Sequence, residues 1–220
     1  MARMARLVVP NLPHHVTQRG NRRQKTFFSA DDYRAYVELL SEAKETAGIA
    51  IWAYCLMPNH THLVVVPRDE DSLAALFAEA HRRYTRRVNL REGWQGHLWQ
   101  ERFHSFVMDE PHLLATVRYI ELNPVRAGLC ESAQQWPWSS ASAHLAGKDD
   151  ALVTVAPMLG MIDNWGCYLE SAHADAVLKT IRQHTKTGRP AGDAGFITQL
   201  EELSGRALHT QKRGPKARIK

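Results

Sequence analysis

The feature that most limits what this chain can become is a pair of apolar, strand-forming runs joined by only two residues. Ile49 to Met57 is rich in β-branched and aromatic side chains, Pro58-Asn59 turns the chain, and His60 to Val66 resumes the run until Pro67 ends it. So tight a joint makes the two runs neighbours in one sheet, paired antiparallel.

Helical and strand-like segments alternate around this hairpin. Upstream, His14 to Gln18 is a short strand, followed by the Gly20-Asn21 turn and an irregular basic stretch. Ser29 or Asp31 caps a helix to about Ala47, with Tyr33, Tyr36, Val37 and Leu40 on one face and Gly48 as its stop. Downstream, Ser72 opens a helix to about Leu90 that turns Leu73, Leu76, Phe77 and Ala80 inward. Gly93 and Gly96 mark a loop, and Arg102 to Met108 is a strand. Asp109 with Pro111 starts a helix through Leu113, Leu114, Val117 and Ile120 to Asn123, where Pro124 disfavours further α geometry. The order β-α-β-β-α-β-α predicts an α+β fold: a ferredoxin-like split βαβ with an antiparallel sheet and an added helix.

Past Trp136-Pro137-Trp138 the strand signal fades. Helix candidates at Trp165 to His184 and Asp193 to Leu203, separated by Thr187-Gly188-Arg189-Pro190, predict a small C-terminal helical appendage. The expected division is a domain over residues 1–150 and an appendage with a basic tail over 151–220.

Composition removes several classes. The nine-residue run from Ile49 to Met57 is too short to span a bilayer, so no membrane role is expected. The N-terminal arginines precede no apolar stretch of a secretory signal, and the three cysteines, Cys55, Cys130 and Cys167, form no CxxC pair. A reducing cytoplasm fits that pattern. A net charge of +5 leans toward a polyanionic partner. The charge is clustered: Arg3, Arg6, Arg19, Arg22, Arg23 and Lys25 fall in residues 1–30 with no acid, and Arg206, Lys212, Arg213, Lys216, Arg218 and Lys220 fall in residues 206–220, again with none. Between them, Arg82, Arg83, Arg86 and Arg87 make one helical stripe, with Arg91 nearby and no acid between His81 and Leu90. Nucleic-acid contact is the expected use of that stripe.

His60-Thr61-His62 carries the strongest chemical suggestion. Residues i and i+2 of a strand share a face, so both imidazoles converge, yet two ligands make only part of a metal site. Tyr119 and Asn123, four apart, share a helix face. A hydroxyl nucleophile beside a metal is one arrangement able to cleave a phosphodiester. By spacing alone, a core aromatic and a helix-terminal asparagine are the favoured readings.

Four ordered blocks go further. Val16-Thr17-Gln18-Arg19-Gly20-Asn21, Met57-Pro58-Asn59-His60-Thr61-His62-Leu63-Val64, Leu98-Trp99-Gln100-Glu101-Arg102-Phe103 and Tyr119-Ile120-Glu121-Leu122-Asn123-Pro124-Val125-Arg126-Ala127-Gly128 together resemble the single-tyrosine HUH transposases, in particular the REP-associated tyrosine transposases. The resemblance spans roughly residues 5–145. Thr187-Gly188-Arg189-Pro190 and the basic tail are similar to a C-terminal extension found in many of them. Thr61 departs from the bulky hydrophobic residue of the family motif; it is expected on the face opposite the two histidines.

The resemblance implies roles by residue. Tyr119 would be the nucleophile forming a 5′-phosphotyrosine bond, and His60, His62 and Asn123 would hold one divalent metal, Mg²⁺ or Mn²⁺. The substrate would be single-stranded, hairpin-containing DNA, contacted by Arg19, Asn21, Arg22, Arg23, Arg82, Arg83, Arg86, Arg87, Arg102, Arg189, Lys212 and Arg213. A cytoplasmic, nucleoid-associated monomer or homodimer is implied. Two rivals stand beside this reading: a non-catalytic, sequence-specific DNA-binding regulator on the same fold, and a zinc hydrolase using the HxH pair. The first has no need of all four site residues, and the second gives Tyr119 no role.

Overall fold

The computed structural model describes residues 5–171 and 175–209. Arg3 and the tail cations Lys212, Arg213, Lys216, Arg218 and Lys220 lie outside the described residues.

The strands are β1 (His14–Arg19), β2 (Ile49–Met57), β3 (His60–Pro67) and β4 (His104–Val107). They form one antiparallel sheet in the order β2-β3-β1-β4. The helices are α1 (Ala30–Ala47), α2 (Ser72–Glu92), α3 (Glu110–Glu121), α4 (Asn123–Arg126), α5 (Ala141–Ala146), α6 (Ala156–Leu159), α7 (Trp165–Glu170), α8 (Asp175–Thr187) and α9 (Ala194–Ser204). The succession β1-α1-β2-β3-α2-β4-α3 is the expected split βαβ. A hairpin between the two βαβ halves sends β1 and β3 to the centre and leaves β2 and β4 as edges.

The period of two along each strand builds two cores. Val16, Ile51, Tyr54, Leu56, Leu63 and Val65 face α1 and α2, meeting Tyr36, Leu40, Leu73, Leu76 and Phe77. Ala53, Cys55, Met57, Val64 and Phe106 face the other way, toward Leu113, Val117, Tyr119 and Ile120 of α3. A bulge between Ile51 and Ala53 keeps β2 in step with both faces. Thr61 is fully buried on the α1/α2 side, as the strand period requires.

Three elements differ from the sequence reading. The helix carrying Tyr119 ends at Glu121, not Asn123. Leu122 (φ −84, ψ 0) leaves α geometry, and Asn123-Pro124 begins the separate turn α4, proline taking the second helical position that suits it. The segment expected as one helix from Trp165 to His184 is two, α7 and α8. The strand expected at Arg102 to Met108 is shorter, His104–Val107.

Residues 151–209 join both cores: Leu152, Val153 and Val155 pack on the α1/α2 side, and Met158, Trp165, Leu169, Ile181 and Ala191 on the α3 side. They also cover sheet edges. Val153 bridges Ile51 on β2, and the Ala191 amide donates to the Val107 carbonyl on β4 at 2.9 Å. Backbone groups that an edge strand would leave open are thereby paired.

Candidate active site

A cavity of about 610 Å³ opens on the α3 face of the sheet, lined by Thr17, Arg19, Arg23, His60, His62 and Tyr119, with Glu101 and His104 at one side and Arg182, Thr185 and Lys186 at another. The sheet register assembles it. Thr17 of β1 stands opposite His62 on β3 and opposite His104 on β4, so one cross-strand row delivers all three.

The two histidines are held through their Nδ1 atoms. His60 Nδ1–H donates to Asn59 Oδ1 at 2.6 Å, which leaves the Nε2 lone pair of a neutral ring unclaimed. His62 Nδ1 lies 2.9 Å from Nε2 of His15, a buried ring stacked on it with centroids 5.2 Å apart. If His62 donates in that bond, its Nε2 is free as well. Burial, then the Arg19 charge, pushes His60 down to about 4. Burial, then His60, His15 and the nearby arginines, carries His62 well below the ordinary imidazole value. Both rings are neutral at physiological pH, the form that binds a metal. His15 is the residue that sequence reasoning missed. The available signal was its place two residues before Thr17, on the same strand face.

Tyr119 is nearly buried, 8% exposed, with its ring edge-on to His62 at 5.7 Å. Arg126 covers its other side: the guanidinium lies 4.4 Å from the ring centroid and donates to the Tyr119 carbonyl at 2.5 Å. Burial lowers the Arg126 pKa, the Tyr119 phenol raises it, and Arg182 lowers it again. Just past Tyr119, the buried carboxylate of Glu121 accepts from Ser140 Oγ, His144 Nδ1 and Trp165 Nε1, so the end of α3 is pinned to α5 and α7.

Asn123 is not among the residues lining the cavity. Its Oδ1 accepts from Arg126 Nη2 at 3.2 Å, and its Nδ2 is buried without a partner. Among the described residues no cluster of three or more His, Cys, Asp or Glu side chains is placed to hold a metal. The donor set is therefore two imidazoles with Asn123 one turn away.

The arginines divide. Arg19 and Arg23 face the cavity; burial lowers the Arg19 pKa, Arg23 lowers it further and Tyr119 raises it. Arg22 and Arg23 occupy left-handed backbone (φ 54 and 61), held by Asn59 Nδ2 donating to the Arg23 carbonyl at 2.9 Å. Such conformations cost non-glycine residues about 1 kcal/mol or more each. Gly20 begins this turn because a Cβ there would lie 2.4 Å from the Gln24 carbonyl. Asn21 Nδ2 donates to the His97 carbonyl at 3.4 Å, and Arg102 lines a neighbouring apolar cavity with Trp99 and Phe103. Arg189 Nη1 donates to the Leu208 carbonyl at 3.0 Å. The α2 stripe stands on the opposite helical layer. The expectation that it lacks acidic partners is corrected: Arg82 pairs with Glu79 at 2.9 Å and Arg83 with Glu42 and Glu79. The acids lie just outside His81 to Leu90, one turn back on α2 and across on α1.

Comparison with known proteins follows the same residues. The family model described as "Transposase IS200 like" matches residues 8–123, more than half of the chain and the span holding His60, His62 and Tyr119. The chain belongs to this family. A Haemophilus influenzae relative assigned to the REP-associated tyrosine transposases is 30% identical over 99 residues, covering 40% of this chain and 56% of the relative. The match thus spans little more than half the length of that relative. The REP-associated tyrosine transposase of Escherichia coli K12 is 22% identical over 126 residues, 57% of this chain and 74% of that one. A solved REP-associated tyrosine transposase, bound to a REP hairpin, shares the fold with a TM-score of 0.58 at 21% identity, over 70% of this chain and 92% of that chain. No helix among the described residues is long and apolar enough to cross a membrane.

Proposed function

We propose that this protein is a metal-dependent endonuclease and strand transferase for single-stranded, hairpin-containing DNA, with Tyr119 as its nucleophile. The observation that carries the reading is the meeting of Tyr119 with the paired imidazoles of His60 and His62 in one cavity edged by Arg19 and Arg23. The tyrosine oxygen attacks a backbone phosphorus, the bond from phosphorus to the 3′ oxygen breaks, and the phenol proton ends on that oxygen. The products are a 5′-phosphotyrosine and a free 3′-hydroxyl. Because the phosphodiester energy is kept in the covalent bond, a second 3′-hydroxyl can rejoin the strand without ATP.

His60 and His62, with Asn123 if it exchanges Arg126 for the ion, would hold one Mg²⁺ or Mn²⁺. Their fit rests on the Nδ1 contacts to Asn59 and His15, the outer hydrogen bonding that orients ligating histidines. When bound, the ion supplies Lewis acidity at the scissile phosphate. Arg19, Asn21, Arg22 and Arg23 would position phosphates, and Arg126 would meet negative charge near the phenol. Tyr119, His60 and His62 come from one chain, so the reading needs no partner copy. Residues 1–150 would carry the chemistry and 151–220 DNA recognition, with the nucleoid as the place of work.

Incubation with flanked hairpin single strands and Mn²⁺ should yield a covalent protein–DNA adduct. Tyr119→Phe should abolish it while DNA binding stays within about 1 kcal/mol, since one hydroxyl leaves a broad contact surface. The regulator reading requires the opposite: normal binding by the wild type and no adduct. An adduct that persists in the Phe variant would overturn the nucleophile assignment.

A further inference from the structure

The cavity has one wall that the family match does not include. The matched residues end at 123, yet Arg182, Thr185 and Lys186 of α8 line the same cavity as Tyr119 and His60. Their i, i+3, i+4 spacing puts them on one helix face. The adjoining side of α8 is fastened to the protein. Ile181 is buried in the α3-side core with Val177 and Leu178 packed beside it, and the His184 ring lies 5.6 Å from Phe106 of β4. The helix then ends through the Gly188 amide on the His184 carbonyl at 2.8 Å, and Ala191 pairs with the β4 edge. The wall is thus attached to the sheet that carries the histidines.

Its charge is not neutralised. Arg182 and Lys186 are exposed and have no acid within ion-pair distance among the described residues. Arg182 is near enough to Arg126 for the two cations to repel. Arg19 and Arg23 are a second like-charged pair across the opening. Four cations around one cavity, Arg19, Arg23, Arg182 and Lys186, call for a chain of anions spaced along it. The single-stranded DNA backbone has that chemistry.

We propose that α8 is a phosphate-binding wall of the active site, in which Arg182 and Lys186 each hold a backbone phosphate of the unpaired strand beside the scissile one. The proposal rests on the DNA-cleaving reading above and extends it to a segment outside the family match.

The test uses the full chain carrying Tyr119→Phe, so that binding is read without cleavage, and two probes: a hairpin with single-stranded flanks and the same stem with blunt ends. Each lost phosphate contact on a single strand should remove about 0.7 from the slope of log affinity against log salt. Arg182→Gln/Lys186→Gln should therefore flatten the slope on the flanked probe by about 1.4. Its affinity near 0.15 M salt should fall about tenfold, with the blunt stem unaffected. Arg182→Gln alone should give half the slope change. Lys179→Gln, a cation of α8 that does not line the cavity, should give none. An unchanged slope on the flanked probe overturns the proposal, and so does an equal loss on both probes. Failure of the underlying reading would show elsewhere: the wild-type chain would form no adduct whatever the slopes.

Discussion

The two faces of the sheet are covered by helices that differ in how their charges are matched. On the α1/α2 face, Arg82, Arg83 and Arg91 are matched by Glu79, Glu42 and the buried Asp32, above a core of Tyr36, Phe77 and Tyr84. On the α3/α8 face, Arg19, Arg23, Arg126, Arg182 and Lys186 gather without acids at ion-pair distance among the described residues, next to buried neutral histidines. On the α1/α2 face the arginines of α2 are paired, Arg86 and Arg87 being the exceptions. A layer that must receive an anion leaves cations unmatched and accepts their mutual repulsion. Total charge does not reveal this difference; location does.

The largest effect should come from the site face. His62→Ala removes one of two imidazoles. It should cost several kcal/mol of transition-state stabilisation, a loss on the order of 10³-fold in adduct formation. DNA binding in chelator should persist, because phosphate contacts supply most of the affinity. Undiminished cleavage by the wild type in excess chelator would reject the metal-dependent mechanism.

Acid should act next, through the buried histidines of β1. His14 accepts from the Val9 amide at Nε2 and donates to the Leu12 carbonyl from Nδ1, so both nitrogens of the neutral ring are in use. Burial, opposed by the Leu12 bond, carries its pKa down to about 4, and burial carries His15 to about 3. The unfolded chain therefore takes up these protons first, near pH 6.5. Stability should be complete above that pH and fall as pH drops toward 4, by up to 1.36 kcal/mol per pH unit for each ring. For His14 the total is on the order of 3 kcal/mol. Urea unfolding from pH 7 to 4.5 measures the slope, and His14→Gln should flatten it by about one proton.

His15 also sharpens the contrast from within the site layer. His15→Phe keeps a ring against Phe106 but removes the Nε2 atom that holds His62. Mn²⁺ affinity, measured by calorimetry without DNA, should fall about 10- to 100-fold if the contact orients the ligand. Affinity equal to wild type would leave His15 a packing residue.

Much of this layout was legible from the chain itself. Period-two runs and helix stops predicted the seven elements from His14 through α3, because strand faces and caps are local. The two histidines shared a face for the same reason. Non-local facts were hidden. The partners of Arg82 and Arg83 sit a turn back or on another helix. His15 becomes relevant only once β1 pairs with β3 in the register that sets Thr17 opposite His62. Arg182 and Lys186 look like any solvated helix face until α8 folds back over the sheet. Asn123 was misplaced on the Tyr119 helix because proline ends one helix but also starts another well, and spacing cannot tell which.

The smallest effect concerns the α2 stripe, where the comparison of the two faces can fail. Arg82 and Arg83 are exposed ion pairs, each worth less than about 1 kcal/mol to stability. A guanidinium already matched by a carboxylate must give up that partner to bind a phosphate. Arg86 and Arg87 are exposed with no acid at ion-pair distance among the described residues. If DNA reaches this layer, Arg86→Gln/Arg87→Gln should reduce the salt slope by about 1.4 on a single strand or 1.8 on a duplex stem. Arg82→Gln/Arg83→Gln should change it by less than half as much. Equal losses in the two double variants would mean that pairing does not mark which arginines meet DNA, and the electrostatic contrast between the faces would lose its meaning. No loss in either would confine DNA to the α3/α8 face, with the stripe a solvated surface stabilised by Glu42 and Glu79.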